Sequence, residues 1–402
     1  MNFALVLDGQ LKSALSAVRS LGRAGVSTCV GAERETGMAL HSRYTKERFV
    51  YPSPYTHQKE FIASIKDEAA RLGGKPLVYA FSDATYLSLH MHREVLSEYV
   101  TCVFPDLKSV EIAFDKAATY SLAHVSAIPT IATYMPEAVE EVRRLAETLV
   151  YPAVIKARRS VTWKDGVGIF GSTTFVHSKE ECEKVFQFHK ESFGEAPLVQ
   201  DFILGEEYGV EMLVQKGLVY ASVAHHRIRS LSPTGGASVV KEILGECELK
   251  TVLEEYSSVL VSRLVWTGPI MVEFKVDSDT REPKLMEING RFWGSLPLAV
   301  ASGVDMPYLY YEREYEKKEI LKTVSLREDV VTRHFLGDVR HLLRVFFSRD
   351  KMRPYLYPKR LTALRNFFTV PNCTVSDVWS WNDLKPVLME FIDIFNKHIL
   401  GK

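Results

Sequence analysis

Short apolar runs alternate with amphipathic stretches through roughly the first 112 residues of the chain. Residues 3–7 and 26–30 read as buried strands, and 13–24 between them reads as a helix with Leu15, Val18 and Leu21 on one face. A second helix over 61–72 leads into a strand over 77–81. Strands separated by helices predict a parallel sheet with helices on its faces. The first turn, Asp8-Gly9-Gln10, lacks the G-x-G-x-x-G spacing, which argues against dinucleotide binding there. Ser82 and Asp83 follow the 77–81 strand, at the carboxyl edge where open α/β sheets take ligands. A helix N-cap accounts for the same pair.

Further along, Asp115-Lys116 stands ahead of a helix, and Ile128-Pro129-Thr130 leads towards a strand over 153–157 that carries Lys156. The polar, glycine-rich stretch from Arg158 to Gly171 resembles a mobile hairpin. Strands return over 198–231, with Gly205 and Gly217 as turn points, and 252–264 is helix-patterned. Two apolar strands follow, one with Glu273 and one with Glu287. Beyond Leu326, two helix-patterned segments (338–347 and 384–395) flank a proline-rich, basic connection.

Composition narrows the field. At 402 residues the chain exceeds one compact core, so two to four domains are expected. Lys+Arg and Asp+Glu balance at 50 each, so no overall attraction to nucleic acid or to an anionic membrane is implied. No apolar run approaches a membrane span, and the start, without a basic lead and interrupted by Asp8, does not read as a signal peptide. The five cysteines, Cys29, Cys102, Cys182, Cys247 and Cys373, form no metal-ligand or redox spacing and read as reduced thiols of a cytoplasmic protein.

The candidate chemistry centres on Glu287-Ile288-Asn289-Gly290-Arg291. On a strand, alternate positions leave one face, so a carboxylate, a carboxamide and a guanidinium project together. A hard cation such as Mg²⁺ bridging phosphates would satisfy them, and Glu273 on the preceding strand could reach the same ion. Lys156 in an apolar strand is either a phosphate binder or a strand-end lysine that snorkels to solvent. The Gly166, Gly168 and Gly171 loop could offer backbone N–H groups to phosphates, although such hairpins are common without that role. Gln200, Asp201, Phe202 and Ile203 run into the glycine turn at Gly205, which exposes hinge backbone of the kind that reads an adenine edge. Glu206 and Glu207 beyond it either accept from ribose hydroxyls or form a solvated turn. Arg227 and Arg229, on one strand face, suit a substrate carboxylate or an ordinary salt bridge.

In this order, Lys116, Lys156, the glycine hairpin, the 200–207 hinge, Glu273 and the E-x-N-x-R strand resemble the ATP-grasp superfamily over residues 1–310. The resemblance implies an α/β fold: a Rossmann-like parallel-sheet pre-ATP domain (1–112), then two α+β subdomains gripping ATP. These are a lid (113–196) and a larger metal-bearing part (197–325), followed by a helical C-terminal extension (326–402). It further implies that Lys116 and Lys156 contact the α- and β-phosphates. The Asp201 to Ile203 backbone would read adenine, with Gln200 standing where many members carry an acidic residue, and Glu207 would bind ribose. Glu273, Glu287 and Asn289 would hold Mg²⁺ (or Mn²⁺), and Arg291 would face the transferred phosphate. The C-terminal part, with Phe335-Leu336-Gly337-Asp338 and Trp379-Ser380-Trp381, is similar to proteins related to carbamoyl phosphate synthetase large-subunit halves.

The implied reaction joins a carboxylate to an amine at the cost of ATP, with small-molecule substrates, Arg227, Arg229, Ser82 and Asp83 as candidate substrate contacts, and a homodimer as a superfamily expectation. Bulky Phe292 and Trp293 beside Arg291 argue against a D-alanine dipeptide substrate. The competing readings are a carbamoyl-phosphate-type phosphotransferase and a non-catalytic nucleotide-binding module. The complete set of Glu273, Glu287, Asn289 and Arg291 argues against the module.

Overall fold

The computed structural model describes residues 3–164, 166–319, 326–371 and 373–399. Asp165 of the glycine hairpin and the expected boundary at residue 325 lie outside them.

Near the N-terminus, β1 (Phe3–Val6), β2 (Ser27–Ala32), β3 (Thr45–Val50) and β4 (Leu77–Tyr79) form a parallel sheet in the order β3-β2-β1-β4. Helices α1 (Lys12–Arg23), α2 (Gln58–Leu72), α3 (Asp83–Met91), α4 (Arg93–Leu96) and α5 (Leu107–Phe114) connect and follow these strands. α1 buries Leu15, Val18 and Leu21, the stripe that its period predicts. β4 stops before residue 81 because the Phe81 N–H turns to the Asp8 carboxylate and Ser82 caps α3, accepting from the Thr85 N–H.

The next layer begins with α6 (Lys116–Val125), whose N-cap is Asp115. It continues through β5 (Thr133–Tyr134), α7 (Val139–Ala146), β6 (Ala153–Lys156), β7 (Val161–Lys164), β8 (Val167–Phe170), β9 (Thr173–Val176), α8 (Lys179–Phe193) and β10 (Leu198–Asp201). Strands β5, β10, β6 and β9 pair antiparallel in that order, and Val142, Cys182 and Phe186 pack from α7 and α8 onto Ile155, Val176 and Val199. β7 and β8 form a separate hairpin.

The largest sheet contains β11 (Gly205–Gln215), β12 (Leu218–Ser232), β13 (Gly235–Ile243), β14 (Gly268–Asp277), β15 (Pro283–Asn289), β16 (Val331–Arg333) and β17 (Thr374–Ser376), in the order β15-β14-β11-β12-β13-β16-β17. α9 (Glu248–Arg263), α10 (Leu296–Ala301) and α11 (Met306–Glu314) precede the C-terminal helices α12 (Phe335–Phe347), α13 (Arg353–Leu356), α14 (Arg360–Phe368) and α15 (Lys385–Ile399). The C-terminal extension is thus helical but also adds β16 and β17 to the sheet, three residues each and too short to register as a periodic pattern. Buried ion pairs fasten it to the rest: Lys12 and Lys241 both reach Asp377 (2.5 and 2.6 Å), and Arg19 reaches Asp383 at 2.9 Å. Among the described residues no helix is long and apolar enough to cross a membrane.

Candidate functional site

β14 and β15 pair so that Glu273 lies directly opposite Glu287. Opposed residues share a face, and the two-residue period brings Asn289 onto it as well. The Asn289 Nδ2 donates to Glu273 Oε1 (3.1 Å) and to Glu287 Oε1 (3.3 Å), so two carboxylates converge on one amide. Arg291, just beyond β15, donates from Nη2 to Asn289 Oδ1 (3.0 Å) and from Nε to Asp83 Oδ1 (2.6 Å). Gly290 between them leaves no room for a side chain, since a Cβ would stand 2.5 Å from Trp266 and 2.8 Å from Phe114. Gly290→Ala is expected to destabilise the fold by about 1–3 kcal/mol through overpacking, read as a lower urea midpoint at unchanged slope.

A second polar row lies beside the first. Arg227 on β12 donates from Nη1 to Glu207 Oε2 (2.7 Å) and from Nη2 to Glu273 Oε2 (2.8 Å), and Lys275 Nζ approaches Glu207 at 3.6 Å. Lys116 enters from the start of α6, its Nζ 3.3 Å from Glu287 Oε2. Lys156 enters from the end of β6 and has no ion-pair partner within 4 Å among the described residues. Burial pushes Glu273 above the usual carboxylate range, with the negative Glu287 adding to the effect, although Arg227 opposes it. Glu287 is partly desolvated as well, but Lys116 and Lys156 outweigh that and hold it below the usual range.

Burial lowers Lys156 from 10.5 to about 8. The fold therefore disfavours its ammonium, and without nucleotide the stability should rise with pH between these two values, where the unfolded chain binds the extra proton. Phosphate oxygens beside Lys156 would restore its charge. Binding of a non-hydrolysable ATP analogue slightly above pH 8 is therefore expected to take up a proton. Calorimetry in two buffers of different ionisation heat reads this directly, and the uptake should vanish in Lys156→Met.

The donor set suits a hard divalent cation. Its core is two convergent carboxylates, Glu273 and Glu287, on adjacent strands that hold them in register; Asn289 turns its Nδ2 to both, while its Oδ1 accepts from Arg291. Among the described residues no group of three His, Cys, Asp or Glu side chains gathers to enclose a metal by itself. Such a site fits Mg²⁺, which takes one or two carboxylates and completes its shell from phosphates and water.

Several expected contacts have other partners. Gln200 is buried, with its amide donating to Thr133 Oγ1 (2.8 Å) and Tyr120 Oη (3.3 Å), so its side chain faces the interior rather than a nucleotide edge. The Asp201 N–H donates to the Ala132 carbonyl. Phe202 and Ile203 bridge β10 and β11, and among the described residues their backbone groups have no hydrogen-bond partner. Ser82 is committed to capping α3 and to Asp8, which leaves it no role as a free substrate contact, whereas Asp83 orients Arg291. Arg229 also departs from expectation: Asp338 takes its guanidinium bidentately (2.8 and 2.9 Å), which makes it a tie to α12 rather than a ligand for a substrate carboxylate. Arg227 stays in the cluster, but both of its terminal nitrogens face Glu207 and Glu273.

Three contributors escaped the sequence. Lys275 stands two positions after Glu273 on the same strand face, a period-two signal that could have found it. Asp8, fully buried, accepts from Phe81 and Ser82 N–H groups and from Thr85, a long-range contact with no local signal. Asp115 not only caps α6 but also binds Arg158 (2.7 Å) and Arg159 (2.9 Å), anchoring the strand exit beyond Lys156. The glycine hairpin reaches across to the N-terminal segment, where the Gly168 N–H donates to the Tyr55 carbonyl (2.5 Å) and Phe170 stacks near Tyr55 at 4.4 Å.

A family model described as "ATP-grasp in the biosynthetic pathway with Ter operon" matches residues 194–335. No curated protein sequence gives a significant match. Among solved structures, the biotin carboxylase domain of Hydrogenobacter thermophilus 2-oxoglutarate carboxylase, in complex with MgADP and bicarbonate, superposes with a TM-score of 0.63 at 16% identity. That match covers 82% of this chain and 73% of the other. L-Amino acid ligase from Bacillus licheniformis gives 0.59 at 15% identity over 78% and 74%, and N5-carboxyaminoimidazole synthetase from Staphylococcus aureus gives 0.58 at 13% over 81% and 82%. Residues 194–335 thus match an ATP-grasp family model, and the chain as a whole shares the fold of these solved structures.

Proposed function

We propose that this protein is an ATP-dependent carboxylate–amine ligase that forms a C–N bond and releases ADP and phosphate. The observation that carries the reading is the cluster in which Glu273, Glu287 and Asn289 face Lys116, Lys156 and Arg291. In this reading residues 1–112 form the pre-ATP part, 113–196 the lid, 197–325 the metal-bearing part and 326–402 the extension. Lys116 and Lys156 bind phosphate oxygens, the Asp201 to Ile203 backbone takes the adenine edge, and Glu207 lies towards the ribose. Glu273, Glu287 and Asn289 would hold Mg²⁺, which when bound neutralises phosphate charge.

A substrate carboxylate oxygen attacks the γ-phosphorus, the bond to the β-phosphate oxygen breaks, and ADP leaves. The amine then attacks the acyl carbon, loses a proton and expels phosphate. Arg291, fixed by Asp83 and Asn289, is set to stabilise charge on the transferred group without reorganising. The hairpin seated on Tyr55 would exclude the water that hydrolyses an acyl phosphate. The ligase character of the Bacillus licheniformis structure supports the same reading.

The test is ADP and phosphate release across pools of carboxylates and amines. Release that requires one of each is the expected result. Release with a carboxylate alone would assign the acyl phosphate as product, and folded protein that binds no ATP analogue would overturn the reading.

A further inference from the structure

The ligase reading makes no use of the outer surface of α12 and α14. α12 buries Gly337, Asp338, His341 and Val345, which turns Leu343 and Phe347 outward, 51% and 76% exposed. α14 buries only Ala363, and at 100° per residue Leu361, Leu364 and Phe368 share one side of it. Leu361 is 81% exposed and Phe368 is 73% exposed. The helices run antiparallel. Arg360 Nη2 donates to the Phe346 carbonyl (3.1 Å) at one end, and the Phe335 and Phe367 rings lie 6.1 Å apart at the other.

The charge on this hairpin is one-sided. Between residues 339 and 369 the sequence has eight Lys or Arg and a single acid, Asp350, in a chain whose formal net charge is zero. Asp350 is engaged by the Met352 N–H and the Tyr357 hydroxyl. The exposed charged side chains of this segment, Arg344, Arg349, Lys351, Lys359, Arg360 and Arg365, are all basic. Apolar side chains gathered on one exposed helix side, as Leu361, Leu364 and Phe368 are on α14, mark an interaction surface where scattered ones do not. A predominantly basic surround, in which Lys351 has an acidic partner, Glu181 at 3.2 Å, selects a counterpart that is anionic at its face and apolar just beneath, which describes a bilayer with anionic headgroups.

We propose that the α12–α14 hairpin docks this protein peripherally on anionic phospholipid bilayers, with Phe347, Leu361 and Phe368 entering the interface and the basic side chains meeting headgroup phosphates. Binding is reversible and weakens with salt, because the electrostatic part is screened. The charge balance of the whole chain hides this property, since the basic excess is local.

The experiment is co-sedimentation of the full chain with phosphatidylcholine vesicles, with and without about 30% phosphatidylserine, at low and high salt. Strong binding only to the anionic vesicles, lost at high salt, is expected. Two variants are compared: Phe347→Ser with Leu361→Ser and Phe368→Ser, and Arg349→Gln with Lys359→Gln and Arg365→Gln. Each should bind at least about tenfold more weakly, while circular dichroism and ATP-analogue binding stay unchanged. No enrichment of wild type on anionic vesicles, or undiminished binding by the charge variant, overturns the proposal. A dimer that the serine variant dissociates, without vesicle binding by wild type, would instead assign the surface to a second copy of the chain and would also overturn it.

Discussion

Glu287→Gln is expected to lower ADP formation at least about 100-fold and to abolish the Mg²⁺-dependent part of nucleotide binding. The substitution keeps the shape of the side chain and the contact to Asn289, so the strand pairing with Glu273 should survive. It removes the charge that faces Lys116 at 3.3 Å and that lies near Lys156. With that charge gone, the site becomes more positive. Analogue binding without Mg²⁺ should therefore persist or tighten while turnover collapses. This combination separates loss of a metal ligand from general damage, which would weaken both. A 100-fold loss corresponds to about 2.7 kcal/mol of transition-state stabilisation, within what a charged group at a phosphoryl-transfer site supplies. Turnover near that of wild type would sink the metal assignment.

Asp377→Ala should destabilise the whole protein by about 3–5 kcal/mol, because it strands Lys241, which burial already lowers to about 7 against the pull of Asp377, as a buried amine that must shed its proton and lose its hydrogen bonds. Lys241 is fully buried and donates to both oxygens of Asp377 (2.8 and 2.6 Å), and Lys12 reaches the same carboxylate. The lysine comes from β13, the carboxylate from the loop after β17, and Lys12 from α1, so one residue joins three parts of the chain. Urea unfolding should register the loss, and adding Lys241→Met should recover much of it, since the double variant no longer buries an unpartnered amine. Asp377 is buried, yet Lys12 and Lys241 hold its carboxyl well below the usual range. Its contribution is therefore present above about pH 4 and is lost as the pH falls below that. An unchanged midpoint in Asp377→Ala would refute the account.

The two cases differ in how far the sequence could lead. That Glu287 and Asn289 share a face was readable because strand periodicity is local, whereas Arg291 lies just beyond the end of β15 and reaches the cluster through Asn289 and Asp83. Lys156 stands out for a similar reason, since a charge at the end of a buried apolar strand is costly without a partner. The α/β alternation near the N-terminus likewise yielded a parallel sheet, and the stripe on α1 was legible from its period.

Other assignments depended on distance in sequence and could not be read. Ser82, Asp83 and Arg229 were all plausible ligand contacts by residue type. Only the fold brings Asp8 to Ser82, Asp83 to Arg291 and Asp338 to Arg229, so that a cap, an orienting carboxylate and a structural tie emerge from similar polar residues. Gln200 turns inward because Tyr120 and Thr133, from two other elements, supply its partners. The exposed apolar side of α14 likewise depends on which residue, Ala363, happens to be covered. By itself the sequence determined which groups can carry charge, which positions share a strand face and where helices and strands alternate. Only the tertiary structure decided which of those groups remain available for chemistry, because hydrogen-bond partners and burial are set by residues tens to hundreds of positions away.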